Sequence, residues 1–177
     1  MNQLIIVEGP DRSGKTTLGK FIANATKGIY IHASGHKTLH PGMQAYHESI
    51  LHTAKWARDQ GHMVVIDRLW PSESIYGELM RPQHPGHLAY DYQRIRGFCV
   101  GLKARYIFCL CDDAVERHRR DPDHTHPYTD EQFKHIARGY RYLHGLLSGS
   151  GVEPTIKYDV NEQGSDLRKY IGEAGII

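Results

Sequence analysis

A chain of 177 residues, 40% of them hydrophobic, has room for one domain with a sizeable core. Its net charge of +2 supplies no overall field that calls for nucleic acid, and no apolar run is long enough to span a bilayer, so no membrane partner is expected. No signal peptide is read, and the three cysteines, Cys99, Cys109 and Cys111, are an odd number; the cytoplasm is the expected location, and Cys109 and Cys111, in the apolar run "YIFCLC", are expected to be buried thiols.

The first expected element is a strand over the apolar run "LIIV", Leu4–Val7, closed by Glu8. Directly after it, "GPDRSGKT" fits the pattern G-x-x-x-x-G-K-(S/T). Then Leu18, Phe21, Ile22 and Ala25 recur at helical spacing, and Gly28 can close that helix. Strand, glycine loop and helix form the context that a phosphate-binding loop requires. The start of a helix offers unpaired N–H groups and about half a positive charge, and the loop turns further N–H groups toward the same anion. Gly9, Pro10, Asp11, Arg12, Ser13, Gly14, Lys15, Thr16 and Thr17 are therefore the candidate ATP-binding residues. Lys15 can reach the terminal phosphates, and the Thr16 hydroxyl can ligate Mg²⁺.

Further along, a strand is expected over Ile29–His32 and a helix over Gln44–Gln60, with Ile50, Leu51, Ala54 and Ala57 on one face and Gly61 at its end. A third strand is expected over Met63–Ile66. Asp67 and Arg68 follow it, placed to hold Mg²⁺ through water and to fork onto a phosphate, respectively. The turn-rich stretch Leu79–His87 leads to a helix over His87–Leu102 carrying Leu88, Ile95 and Phe98, and then to a strand over Tyr106–Cys111. The segment 117–129 is polar, basic and without periodicity, and is expected to be a mobile lid. A helix over Asp130–Leu147 has Thr129 and Gln132 at capping-box spacing, and Thr155–Tyr158 is the last strand. Five strands alternating with helices give an α/β class: a three-layer fold with a five-stranded parallel sheet in a single domain, which binds ligands at the carboxyl ends of the strands.

"VEGPDRSGKTT" and "DRLWPSESIYGELMR" together resemble thymidylate kinases and, more broadly, P-loop deoxynucleotide and deoxynucleoside kinases. Softer likenesses are "FKHIARGYRYL", similar to the helix after their lid, and "YDVNEQGSD", similar to their last strand and the loop near adenine. The resemblance implies a P-loop kinase that uses ATP and Mg²⁺ to phosphorylate a deoxynucleoside monophosphate. It implies that Lys15 and the loop hold the donor phosphates, Arg12 reaches the transferring group, Asp11 bonds the acceptor's 3′-hydroxyl and Arg68 holds the acceptor phosphate. A lid arginine among Arg117, Arg119 and Arg120 would assist. Glu8, Ser72, Tyr76 and Arg81 join the acceptor side, and a homodimer is the family-like assembly.

Departures from the family pattern are equally specific. The "REPGGT"-like stretch after the second strand reads "HASGHKT", His32–Thr38. Met43 and His47 stand where a base-stacking Phe and a base-bonding Arg are usual, with Tyr46 or Trp56 as substitute stacking groups. The expected acceptor is accordingly a pyrimidine monophosphate, dTMP or a 5-substituted dUMP, in an enzyme of phage or prophage type. Three alternatives stand beside it. A deoxynucleoside acceptor would use Glu8 as general base. A hydroxymethylated base in DNA would call for a local basic patch. A nucleotide-binding switch would not turn over at all. His124 and His126 with His118 also spell a conceivable metal site, but histidines two apart in a loop are expected to be solvated.

Overall fold

Every strand of the sheet runs parallel to its neighbours, in the order β2-β3-β1-β4-β5, in a computed structural model that describes residues 3–33, 42–120, 128–163 and 166–176. The strands are β1 (Leu4–Glu8), β2 (Ile29–His32), β3 (Val64–Asp67), β4 (Arg105–Cys109) and β5 (Thr155–Tyr158). The principal helices are α1 (Lys15–Thr26), α2 (Met43–Asp59), α6 (Tyr92–Gly101) and α8 (Asp130–Ser150). Shorter ones are α3 (Trp70–Ser72), α4 (Glu78–Met80), α5 (Pro85–Leu88), α7 (Ala114–Arg119) and α9 (Leu167–Glu173), and a π-helical stretch, Glu73–Gly77, joins α3 to α4.

The central strands are apolar apart from Glu8 and Asp67 at the carboxyl ends of β1 and β3 and Arg105 at the start of β4, because both faces are covered. Ile5, Val7, Val65, Ile107 and Cys109 pack with Leu18 and Ile22 of α1 and Tyr170 and Ile171 of α9. Leu4, Ile6, Val64, Ile66, Tyr106 and Phe108 face the other way, onto Leu51 and Ala54 of α2, Ile95 of α6, and Phe133, Ile136 and Tyr140 of α8. A helix on each face and a sheet between them is the three-layer α/β fold read from the sequence. Among the described residues, no helix is long and apolar enough to cross a membrane.

Two glycines let the chain leave β1 and enter α1. Gly9 has φ +147, and a Cβ there would lie 2.2 Å from the Cys109 carbonyl oxygen of the adjacent strand. Gly14 has φ +85 and stands at the N-cap of α1, so the first N–H groups of the helix are left open.

Three expectations need correction. The helix expected over His87–Leu102 is two helices, α5 and α6, because the Asp91 side chain accepts from the Arg94 N–H at 3.0 Å and starts α6 afresh. The segment expected as an aperiodic lid begins as α7, with Arg117 forming an i,i+4 pair to Asp113; residues 121–127 of that lid lie outside the described residues. Asp67 is the last residue of β3 rather than the first beyond it. The capping box of α8 is present, with the Thr129 hydroxyl accepting from the Gln132 N–H at 3.2 Å and the Gln132 side chain accepting from the Thr129 N–H at 2.9 Å.

Candidate active site

The carboxyl ends of β1 and β3 open into a cavity of about 970 Å³. One end is lined by Asp11, Arg12, Gly14, Lys15, Thr16 and Thr17. The other is lined by Met43 and His47 from α2, Ser72, Glu73 and Tyr76 from the segment after β3, and Met80 and Arg81. Arg68, Arg117, Tyr128 and Val160 also line the cavity.

Lys15 is 5% exposed, and its Nζ donates to the Pro10 carbonyl at 2.5 Å. Burial pulls its pKa down to about 8, with the Arg68 charge adding to the shift. An anion in the loop would restore the charged form. Ser13 donates to the same carbonyl at 2.8 Å, which ties the loop to itself. Gly9, Pro10 and Ser13 shape the loop without lining the cavity.

Beside the loop, the Thr16 hydroxyl donates to Asp67 Oδ2 at 2.7 Å, and the Tyr30 hydroxyl donates to the same oxygen at 2.6 Å. His32 Nδ1 stands 3.3 Å from it. Burial would raise the Asp67 pKa; the Tyr30 hydrogen bond, the Lys15 charge and the Thr16 hydrogen bond outweigh it, so the carboxylate stays ionised. Its second oxygen, Oδ1, is buried and has no partner among the described residues. A hydroxyl beside an ionised carboxylate with a spare oxygen is a hard, all-oxygen donor set, and it fits Mg²⁺. Thr16 and Asp67 would hold that ion, and it would neutralise charge on the transferring phosphates. No cluster of three or more His, Cys, Asp or Glu that suits a metal occurs among the described residues. His118 stacks on Phe133 with ring centroids 4.3 Å apart, and His124 and His126 lie outside the described residues.

Arg68 is the hub. Its φ of 74 is left-handed, an unusual conformation for a side-chain-bearing residue and one that turns the chain sharply at the end of β3. Its Nη1 donates to Ser72 Oγ at 3.1 Å and to the Tyr140 hydroxyl at 3.0 Å, and its Nη2 pairs with Asp11. The Tyr76 ring lies under the guanidinium, 5.1 Å from centroid to Cζ, and the Tyr76 hydroxyl donates to Asp11 Oδ2 at 3.2 Å.

Glu8 lies behind this hub and does not line the cavity; it is 0% exposed. It accepts from the Leu69 N–H at 2.6 Å and from Ser72 Oγ at 2.7 Å. Burial lifts its pKa to about 7 even though Ser72, Arg68 and Leu69 favour the carboxylate. A carboxylate enclosed this way orients Ser72 and, through it, Arg68, and its burial outside the cavity keeps it from an acceptor hydroxyl there. Arg81 lines the cavity and pairs with buried Glu73 at 2.6 Å. Of the three arginines offered for the lid, only Arg117 reaches the cavity, held by Asp113 and Asn161. Arg119 pairs with Asp130 and Arg120 with Glu116, both at the surface.

Met43 and His47 both line the cavity. Tyr46 and Trp56 do not line it; they are 38% and 64% exposed on α2. Nothing in the sequence marks Tyr30 or Tyr140 as a site residue. Both look like core aromatics there, and only folding brings their hydroxyls to Asp67 and Arg68.

No protein-family model and no curated protein matches the chain. Solved structures do. The YorR protein of Bacillus subtilis, in complex with phosphorylated GDP, is similar with a TM-score of 0.70 at 20% identity, covering 98% of this chain and 96% of that one. Thymidylate kinase from Candida albicans gives 0.64 at 15% identity, covering 98% and 92%. Thymidylate kinase from Ehrlichia chaffeensis gives 0.58 at 13% identity, covering 97% of each chain. The fold is that of the thymidylate kinase-like P-loop kinases. At these identities the likeness reaches the fold and no further.

Proposed function

We propose that this protein transfers the γ-phosphoryl group of ATP to a deoxynucleoside monophosphate, with a pyrimidine such as dTMP or a 5-substituted dUMP as acceptor. One observation carries the reading: a phosphate-binding loop with its lysine and Thr16, whose hydroxyl bonds the buried Asp67 carboxylate behind the cavity lining, shares a single cavity with the Arg68–Asp11–Tyr76 cluster. The first group suits a triphosphate with Mg²⁺, and the second suits an anionic acceptor beside it. Phosphoryl transfer needs alignment and charge neutralisation more than covalent help, and the cavity offers both. Lys15 and the loop N–H groups would hold the donor phosphates, with Thr16 and Asp67 at the ion. Arg12 would face the transferring group. Asp11 would take the sugar hydroxyl and Arg68 the acceptor phosphate, with Ser72, Tyr76 and Arg81 shaping the acceptor side. Phosphorylated GDP in the similar YorR structure is compatible with a nucleotide in such a cavity.

The burial of Glu8 outside the cavity weighs against a free nucleoside as acceptor, since that chemistry asks for an accessible base. Incubation with ATP, Mg²⁺ and a panel of deoxynucleoside monophosphates, deoxynucleosides and hydroxymethylated DNA tests the proposal. A deoxynucleoside diphosphate formed one for one with ADP supports it. Label appearing only in a nucleoside or in DNA, or no transfer at all, overturns it.

A further inference from the structure

His47 stands on α2 one turn beyond Met43, with its side chain lining the cavity and only 5% of the residue exposed. Its Nδ1 lies 2.5 Å from the hydroxyl of Tyr90, a residue that is also 5% exposed and sits between α5 and α6. The two rings meet edge to face, with centroids 5.5 Å apart at 83°. Neither side chain makes another hydrogen bond among the described residues.

A neutral imidazole has one N–H, so this contact has two possible forms. If Nδ1–H donated to the phenol, the Tyr90 O–H would be left as a buried donor with no acceptor, which folded proteins avoid. If the phenol donates to Nδ1, its proton is used and the imidazole proton sits on Nε2. Burial holds the Tyr90 proton on its oxygen, and burial also lowers the His47 pKa to about 4, so the ring is neutral near pH 7. Tyr90 occupies Nδ1 and the His47 side chain lines the cavity, so Nε2 is the ring nitrogen left for a ligand there.

We propose that His47, with its tautomer fixed by Tyr90, reads the acceptor base as a single N–H donor, so that the site selects a base carrying a carbonyl rather than an amino group on the edge turned toward α2. The inference rests on the acceptor reading above. His47 touches the base; Tyr90 is a positioning residue that acts through it. An N–H donor meets a ring carbonyl as a hydrogen bond and an exocyclic amino group as a second donor, and that mismatch is what discriminates.

Matched monophosphates exchange one exocyclic carbonyl for an amino group, together with the proton on the adjacent ring nitrogen: dUMP against dCMP, and dIMP against dAMP. Wild-type protein with ATP and Mg²⁺ should favour the carbonyl member of the pair it turns over by roughly tenfold or more in kcat/KM. Tyr90→Phe frees the ring to take either tautomer and should shrink that ratio at least about threefold. General damage to the fold would lower both members together and leave the ratio alone. Should Tyr90→Phe not yield folded protein, His47→Gln tests the same ratio, because its amide can present either N–H or C=O. A second measurement needs no turnover: ¹⁵N NMR of the His47 ring should show the Nε2–H tautomer in wild type and a mixture in Tyr90→Phe. Preference for the amino member, a ratio unmoved in both variants, or the Nδ1–H tautomer in wild type overturns the proposal. If no monophosphate is phosphorylated while NMR shows Nε2–H, the acceptor reading fails and takes base selection with it, leaving the tautomer assignment intact.

Discussion

At one end of the cavity, Gly14, Lys15 and Thr16 present backbone N–H groups, an ammonium and a hydroxyl within three consecutive residues. At the other, Met43, His47, Ser72, Glu73, Tyr76 and Arg81 converge from separate helical segments. The first end is shaped by chain geometry: two left-handed glycines and the open start of α1. The second is shaped by side-chain partners, with Tyr90 on His47, Glu73 on Arg81, and Glu8 on Ser72. Backbone geometry tolerates few sequences and, under the proposed function, would recognise any triphosphate tail. Side-chain pairs can be exchanged one at a time, so the second end is where such a fold can change what it accepts.

Changes at the first end should therefore be the most severe. Lys15→Ala should lower kcat by roughly a hundred- to a thousandfold in a steady-state phosphoryl-transfer assay, by analogy with losing one donor to developing charge. Its melting temperature should hold or rise, since a buried cation has been removed. Similar turnover in the variant would break the distinction between the two ends. Arg68, at the join, should come next. Arg68→Lys keeps the charge but cannot fork between Asp11, Ser72 and Tyr140, so kcat/KM for the acceptor should fall on the order of tenfold or more.

Glu8 sharpens the comparison through stability. Its folded pKa is raised from 4.5 to about 7, so the stability it contributes is complete below pH 4.5 and is lost as pH rises through about 7. Glu8→Gln has no such loss. Relative to wild type, its unfolding free energy in urea should rise from pH 4.5 to above 7 by on the order of a few kcal/mol. A pH-independent difference would mean that Glu8 is solvated or paired more strongly than its enclosure indicates. The smallest effects belong to the surface. Arg119→Ala should change kcat/KM less than about twofold, since Arg119 pairs with Asp130 outside the cavity, whereas Arg117→Ala should cost several times more.

The contrast also explains what the sequence disclosed. β1, the loop and α1 are contiguous, and their apolar runs, glycines and helical spacing are local signals; the alternation of strands and helices is local too. The split between α5 and α6 was hidden because Leu88, Ile95 and Phe98 keep a helical period across it, while the break depends on Asp91 capping Arg94. Tyr140 reaches Arg68 from 72 residues along the chain, and Tyr30 reaches Asp67 from 37. Nothing in either residue's neighbours marks it as other than core. Glu8 could be placed at the end of its strand but not turned inward, because that orientation depends on Ser72 and the Leu69 N–H.

Titration calorimetry of the wild-type protein with Mg²⁺ and a non-hydrolysable ATP analogue, in buffers of different ionisation enthalpy, tests the triphosphate grip most directly. Saturable binding is expected, with net proton uptake near pH 8, because phosphate beside Lys15 raises a pKa that burial has lowered to about 8. Binding should be lost or strongly weakened in Lys15→Ala. No heat with wild type, or the same affinity and proton uptake in the variant, would contradict it.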